Sequence, residues 1–111
     1  MKNSQPIQPV TERFPALEEQ EVEFTFSAPA AHMVEVAGTF NNWHPQTNPL
    51  VPTGTGDWTA RLMLKSGRYE YRFVVDGFWT DALEDPLKAA NPFGGFNSVL
   101  QVGLDDRTDL L

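Results

Sequence analysis

Apolar and polar residues alternate along most of the chain between positions 22 and 102, the period expected of strands with one face buried and the other wet. In 22–27, Val22, Phe24 and Phe26 alternate with Glu23, Thr25 and Ser27. Over Met33–Phe40, Val34 and Val36 alternate with Met33 and Glu35. A third run sets Trp58, Ala60, Leu62 and Leu64 against Thr59, Arg61, Met63 and Lys65. A fourth sets Tyr69, Tyr71, Phe73 and Val75 against Glu70, Arg72 and Val74. The last places Ser98, Leu100 and Val102 against Val99 and Gln101. Leu50-Val51 and Phe78–Thr80 supply short additional strands, and a short helix is expected near Leu83–Ala90.

The connections agree with strands. Ser66-Gly67 and Asp76-Gly77 both read as two-residue hairpin turns, Asp-Gly being among the strongest such signals. Eight Gly and nine Pro spread along the chain favour many turns over long helices. The expected fold is therefore all-β, an immunoglobulin-like antiparallel sandwich of about seven short strands. Residues 1–19 read as an N-terminal arm, 20–103 as the sandwich and 104–111 as an acidic C-terminal tail.

The Asp76-Gly77 turn makes a sharper statement. A two-residue loop places Val75 opposite Phe78 and Val74 opposite Trp79, and opposed residues share a sheet face. Tyr69, Tyr71, Phe73 and Val75 form the more apolar face, so they point to the core and take Phe78 with them. Arg72 and Val74 then point outward, with Trp79 beside them. An outward indole suits a sugar, whose C–H face packs flat on an aromatic ring while its hydroxyls reach sideways. Burying ~100 Å² in one stack contributes roughly 2.5 kcal/mol, so two stacks less the cost of association give a Kd between ~10 μM and ~1 mM. Register alone leaves a second reading, in which Trp79 folds over the sheet edge as a lid. Trp43 follows Asn41 and Asn42 in a polar turn, where chemistry alone favours a cap on the core. Trp58 is in phase with Ala60, Leu62 and Leu64 and belongs inside.

Charge narrows the partners. A formal net charge of -7 argues against nucleic acid, which is bound through clustered Lys and Arg, and against anionic membranes. A neutral sugar feels little of it. The sequence has no Cys, so packing must hold the fold without disulfides. The polar, Pro-containing start reads as neither signal peptide nor anchor, and no stretch approaches the ~20 apolar residues of a membrane span. A cytoplasmic protein is the expectation.

Taken in order, Val34-Glu35-Val36-Ala37-Gly38-Thr39-Phe40-Asn41-Asn42-Trp43, Gly56-Asp57-Trp58, the run from Gly67 to Trp79, and the run from Asn91 to Leu100 resemble the family 48 carbohydrate-binding modules. That family includes glycogen-binding domains of AMP-activated protein kinase β-subunits and N-terminal domains of isoamylases and branching enzymes. The resemblance spans roughly residues 20 to 103 and implies a sandwich that binds α-1,4-linked glucose chains. It implies that Trp43 and Trp79 are sugar-stacking residues, which sets aside the cap and the lid. It implies that Arg72, where the kinase subunits carry Lys, and Asn97 hydrogen-bond sugar hydroxyls. It places on Phe93 an apolar loop residue that contacts the glucan. Two departures stand out. Arg for Lys at position 72 changes donor geometry, and Gly95 lacks a hydroxyl residue that the kinase subunits have there.

Other chemistry is thin. Glycoside hydrolysis needs two carboxylates about 5–9.5 Å apart in a cleft, and Asp76, Asp81, Glu84 and Asp85 are better read as turn and loop residues. His32 and His44 lack ligand spacing, and Asp105, Asp106 and Asp109 read as a solvated tail rather than a calcium site. No catalytic residue, metal or cofactor is expected. The implied partner is an α-glucan polysaccharide or malto-oligosaccharide, with a glucan-metabolising enzyme or kinase complex as the body it serves. The alternative is a docking subunit whose aromatic face meets a protein.

Overall fold

The computed structural model describes residues 19–81 and 87–103, and the alternating runs become strands of two antiparallel sheets. In chain order these are β1 (Gln20–Ser27), β2 (Val34–Gly38), β3 (Val51–Pro52), β4 (Asp57–Leu64), β5 (Gly67–Val75), β6 (Phe78–Trp79), β7 (Lys88–Ala90) and β8 (Phe96–Val102). One sheet runs β1-β4-β3; the other runs β2-β5-β8-β7, with β6 also paired to β5. The all-β sandwich expected from the periodicity is what forms.

Register puts the apolar phase of each strand inside. Phe24 pairs with Ala60 and Phe26 with Trp58 in the first sheet, while Val34 pairs with Val75 and Val36 with Phe73 in the second. Phe24, Val34, Val36, Leu50, Leu64 and Val102 form the buried centre, with Trp58, Tyr69, Tyr71 and Phe73 packed around it. Phe24 meets Tyr71 edge-on at 5.0 Å between ring centroids, and Phe26 lies 4.7 Å from Phe73. These aromatic pairs tie the two sheets together. Trp58 belongs to this packing, half-buried, with its indole N–H donated to the Ala28 carbonyl at 2.9 Å.

Four expectations require correction. Ser66-Gly67 is not a hairpin turn: β4 pairs with β1 and β3, while β5 starts the other sheet, so the chain crosses between layers there. The helix near Leu83–Ala90 fails where it can be judged, because Lys88–Ala90 is extended and pairs antiparallel with β8; residues 82–86 lie outside the described residues. Phe78 shares the inner face with Val75 yet is 76% exposed. It sits on a two-residue strand at the hairpin tip, and facing inward guarantees no core above it. Val74 points outward as its phase requires but is buried, flanked across the strands by Glu35 and Trp79.

One topological detail positions the site. β8 pairs with β5 only from Gly67 to Tyr71, and β6 takes up the same edge at Val74 and Val75. Arg72 lies at the seam between them.

Candidate functional site

The hairpin that carries Trp79 is built by its two turn residues. Asp76 (φ 50°) and Gly77 (φ 86°) are both left-handed, the combination that suits the strand twist. The Asp76 carboxylate also accepts the backbone N–H groups of His32 and Met33 at 2.8 Å each, pinning the hairpin to the start of β2. Val74 therefore faces Trp79 across the ladder, and the indole lies on the outer face, 41% exposed.

Trp43 reaches the same face from a strained turn. Asn42 (φ 56°) and Trp43 (φ 60°) are both left-handed, which is costly for a bulky residue and persists only where the surroundings enforce it. The enforcement is visible. Trp43 N–H donates to the Gly38 carbonyl at 2.9 Å. Asn41 accepts from Gly38 N–H at 3.0 Å and donates to the Val36 carbonyl and to Asn48 Oδ1 at 3.1 and 2.8 Å. Gly38 must be glycine, since a Cβ there would lie 2.6 Å from the Glu70 carbonyl oxygen. The result sets the Trp43 ring 6.4 Å from Trp79, the two planes inclined at 37°.

Arg72 stands beside this pair, its guanidinium carbon 5.4 Å from the Trp79 ring centroid, where the cation is attracted to the π-face. Nε donates to the Thr80 carbonyl at 2.7 Å and Nη2 to Asp81 Oδ1 at 3.3 Å. Among the described residues these are its hydrogen-bond partners, which use two of its five N–H groups. Asp81 Oδ1 also accepts the Phe96 N–H at 3.3 Å. The same oxygen occupies the space a Cβ at Gly95 would need, which explains in packing terms why no larger residue stands there.

The opposite wall comes from β8 and the turn before it. Asn97 is buried; its Nδ2 donates to Glu70 Oε1 at 3.0 Å and its Oδ1 accepts from Asn91 Nδ2 at 3.2 Å. Asn91 Oδ1 in turn accepts the N–H groups of Phe93 and Gly95 at 2.9 and 3.0 Å, shaping the loop that holds Phe93 out with 86% of its surface exposed. Glu70 Oε2 accepts from Arg68 at 2.8 Å. The Asn97 amide and then the Arg68 guanidinium hold the Glu70 carboxyl below its ordinary value, outweighing partial burial.

Trp43, Arg72, Trp79, Phe93 and Asn97 thus converge on one open, mainly apolar groove of about 610 Å³, together with Thr39, Glu70, Asn91 and Pro92. Sequence reasoning missed Glu70 and Asn91. Glu70 shares the phase of Arg72 on β5 and so was discoverable as an outer-face residue; Asn91 two positions before Phe93 is a turn-forming placement. Among the described residues, no cluster of His, Cys, Asp and Glu is arranged to hold a metal ion.

Residues 20–108 match the family whose model describes the glycogen recognition site of AMP-activated protein kinase. The chain belongs to this family. It is 31% identical over 93 residues to a phosphoglucan phosphatase, DSP4, amyloplastic, of Castanea sativa, covering 84% of this chain and 24% of that protein. It is 39% identical over 64 residues to the SNF1-related protein kinase regulatory subunit beta-2 of Arabidopsis thaliana, covering 58% and 22%. With the human 5'-AMP-activated protein kinase subunit beta-2 it shares 33% over 73 residues, covering 66% and 26%. The chain spans about a quarter of the length of these relatives. As a glycogen-recognition module it places its two outward indoles on the groove just described.

Proposed function

We propose that this chain is a non-catalytic module that binds α-glucan of the glycogen or starch type in the groove between Trp43 and Phe93. Trp43 and Trp79 stack against successive glucose rings, Arg72 and Asn97 exchange hydrogen bonds with hydroxyls, and Phe93 makes an apolar contact. The observation that carries the reading is the inclined Trp43–Trp79 pair, with an Arg beside it and a buried Asn in the same groove. Asn97 retains one N–H and one acceptor position after its bonds to Glu70 and Asn91, enough for a hydroxyl in either sense. Among the described residues Glu70 is the carboxylate lining the groove, whereas hydrolysis needs a pair, which supports a binding rather than a catalytic role.

The module would serve a larger assembly, a glucan-metabolising enzyme or a kinase complex, as its relatives' names suggest. Titration with maltoheptaose tests the reading. Tryptophan fluorescence should change with a Kd between ~10 μM and ~1 mM, and amide resonances should move around Trp43, Trp79 and Asn97. No response at millimolar sugar would sink it. A protein-docking role is the second reading, favoured by Phe78, whose exposed ring lies on the face opposite Trp79; a partner bound there leaves the maltoheptaose response intact.

A further inference from the structure

Glu70 stands at one end of a hydrogen-bond relay whose other end is the Phe93 loop. The direction of every bond in it is forced. Backbone N–H groups of Phe93 and Gly95 can only donate, so Asn91 must turn Oδ1 towards them and Nδ2 towards Asn97. Asn97 must then receive on Oδ1 and donate from Nδ2, and an ionised carboxylate, which only accepts, is what meets that donor. We infer that Glu70 is a positioning residue of the groove, which through Asn97 and Asn91 fixes both the amide presented to the ligand and the loop that carries Phe93. The inference rests on the glucan-binding reading for its consequence but not for its geometry.

The surroundings leave this role to Glu70. Asn97 is 7% exposed, so its donor has no ready access to water if the acceptor is removed. From neighbouring elements, uncharged groups meet Glu70: Thr39, whose hydroxyl accepts the Glu70 N–H at 3.2 Å, and Val99, its partner on β8. Arg68, the second donor to the carboxylate, is half-exposed and free to swing into solvent. What the relay demands is therefore an acceptor on the Asn97 side, and a side chain with one such oxygen suffices.

That requirement separates two substitutions. Glu70→Leu removes the acceptor and leaves the Asn97 donor unpaired; Glu70→Gln keeps one oxygen for it. Maltoheptaose binding should weaken about 3–10-fold in Glu70→Leu and return to within about twofold of the parent in Glu70→Gln. In the free protein, the Asn97 side-chain amide and the Phe93 and Gly95 backbone amides should shift in the Leu variant and return in the Gln variant. Glu70→Ala serves as the truncation if the Leu variant does not fold. Parent-like affinity and resonances in the truncations would overturn the inference, as would a Gln variant no better than Leu. If the parent itself ignores maltoheptaose, the binding reading fails, and the free-protein resonances still decide the relay.

Discussion

Trp43 and Trp79 are neighbours on the same side of the groove, with ring centroids 6.4 Å apart and planes inclined at 37°, so together they make a bent platform rather than a flat one. A chain of α-1,4-linked glucose curves from ring to ring, whereas a β-1,4-linked chain is an extended ribbon. Rings that lie flat on both indoles must themselves be inclined. The α-linked chain meets that condition and the ribbon loses one stack, worth roughly 2.5 kcal/mol. Calorimetry should find cellohexaose bound at least about tenfold more weakly than maltohexaose. Equal affinities would remove the inclined pair as the source of selection.

The two-faced hairpin separates binding from stability. If Trp79 stacks on glucose as proposed, Trp79→Ala deletes that stack, so affinity should fall by roughly 60-fold while stability changes by about 1 kcal/mol or less. Trp58→Ala deletes a ring packed against the core and its bond to Ala28, and should cost about 3 kcal/mol, the low end for a tryptophan because the ring is only half-buried. Thermal melts beside sugar titrations check both. Equal thermal damage from the two substitutions would contradict the assignment of faces.

Strand phase and the Asp-Gly turn make the outward face of Trp79 legible in the sequence, though not its choice between platform and lid, because a two-residue loop leaves register no freedom and register decides face. Trp43 was not legible in the same way. Its position depends on two consecutive left-handed residues held by Asn41 and Gly38, which no periodicity encodes, and it was placed through resemblance to a family. Ser66-Gly67 misled because a turn signal specifies a reversal and not whether the next strand joins the same sheet. Phe78 and Val74 misled in opposite senses, since alternation fixes which way a side chain points but not what lies beyond it. Glu70 and Asn91 are harder to single out: the Glu70–Asn97 bond joins residues brought close by the pairing of β5 with β8, and the Asn91 bonds lie within the turn that leads into β8.

The Glu70 carboxylate makes stability depend on pH in a defined direction. Its native value lies below the ordinary 4.5, so the unfolded chain takes up the proton first as pH falls. The stabilisation is fully present above about pH 5.5, declines as pH drops through the ordinary and then the depressed native value, and is gone below the latter. Arg68 and Arg72 flank it on β5. Urea melts should therefore find the parent more stable than Glu70→Gln near neutrality by about 1 kcal/mol or less, with the gap closing in acid. A gap of constant size from neutrality to about pH 3 would show that the ionised form is not what stabilises.

Asp81 and Gly95 should behave as one unit. Asp81 Oδ1 binds Arg72 Nη2 and the Phe96 N–H from the very space a Cβ at Gly95 would fill. Gly95→Thr must therefore expel Asp81, freeing Arg72 from one of its two anchors and leaving the Phe96 N–H without its acceptor. Asp81→Ala loses the same bonds but opens the space. Once Asp81 is gone, adding a side chain at position 95 costs little more, and the threonine hydroxyl is then available to the Phe96 N–H or to a ligand. The two substitutions should thus be non-additive, with a coupling of about 1 kcal/mol or more in urea melts and the double variant more stable than the sum of the singles implies. Additive losses would mean that Gly95 is small for a reason unconnected with Asp81, and that the seam between β6 and β8 does not hold Arg72 in place.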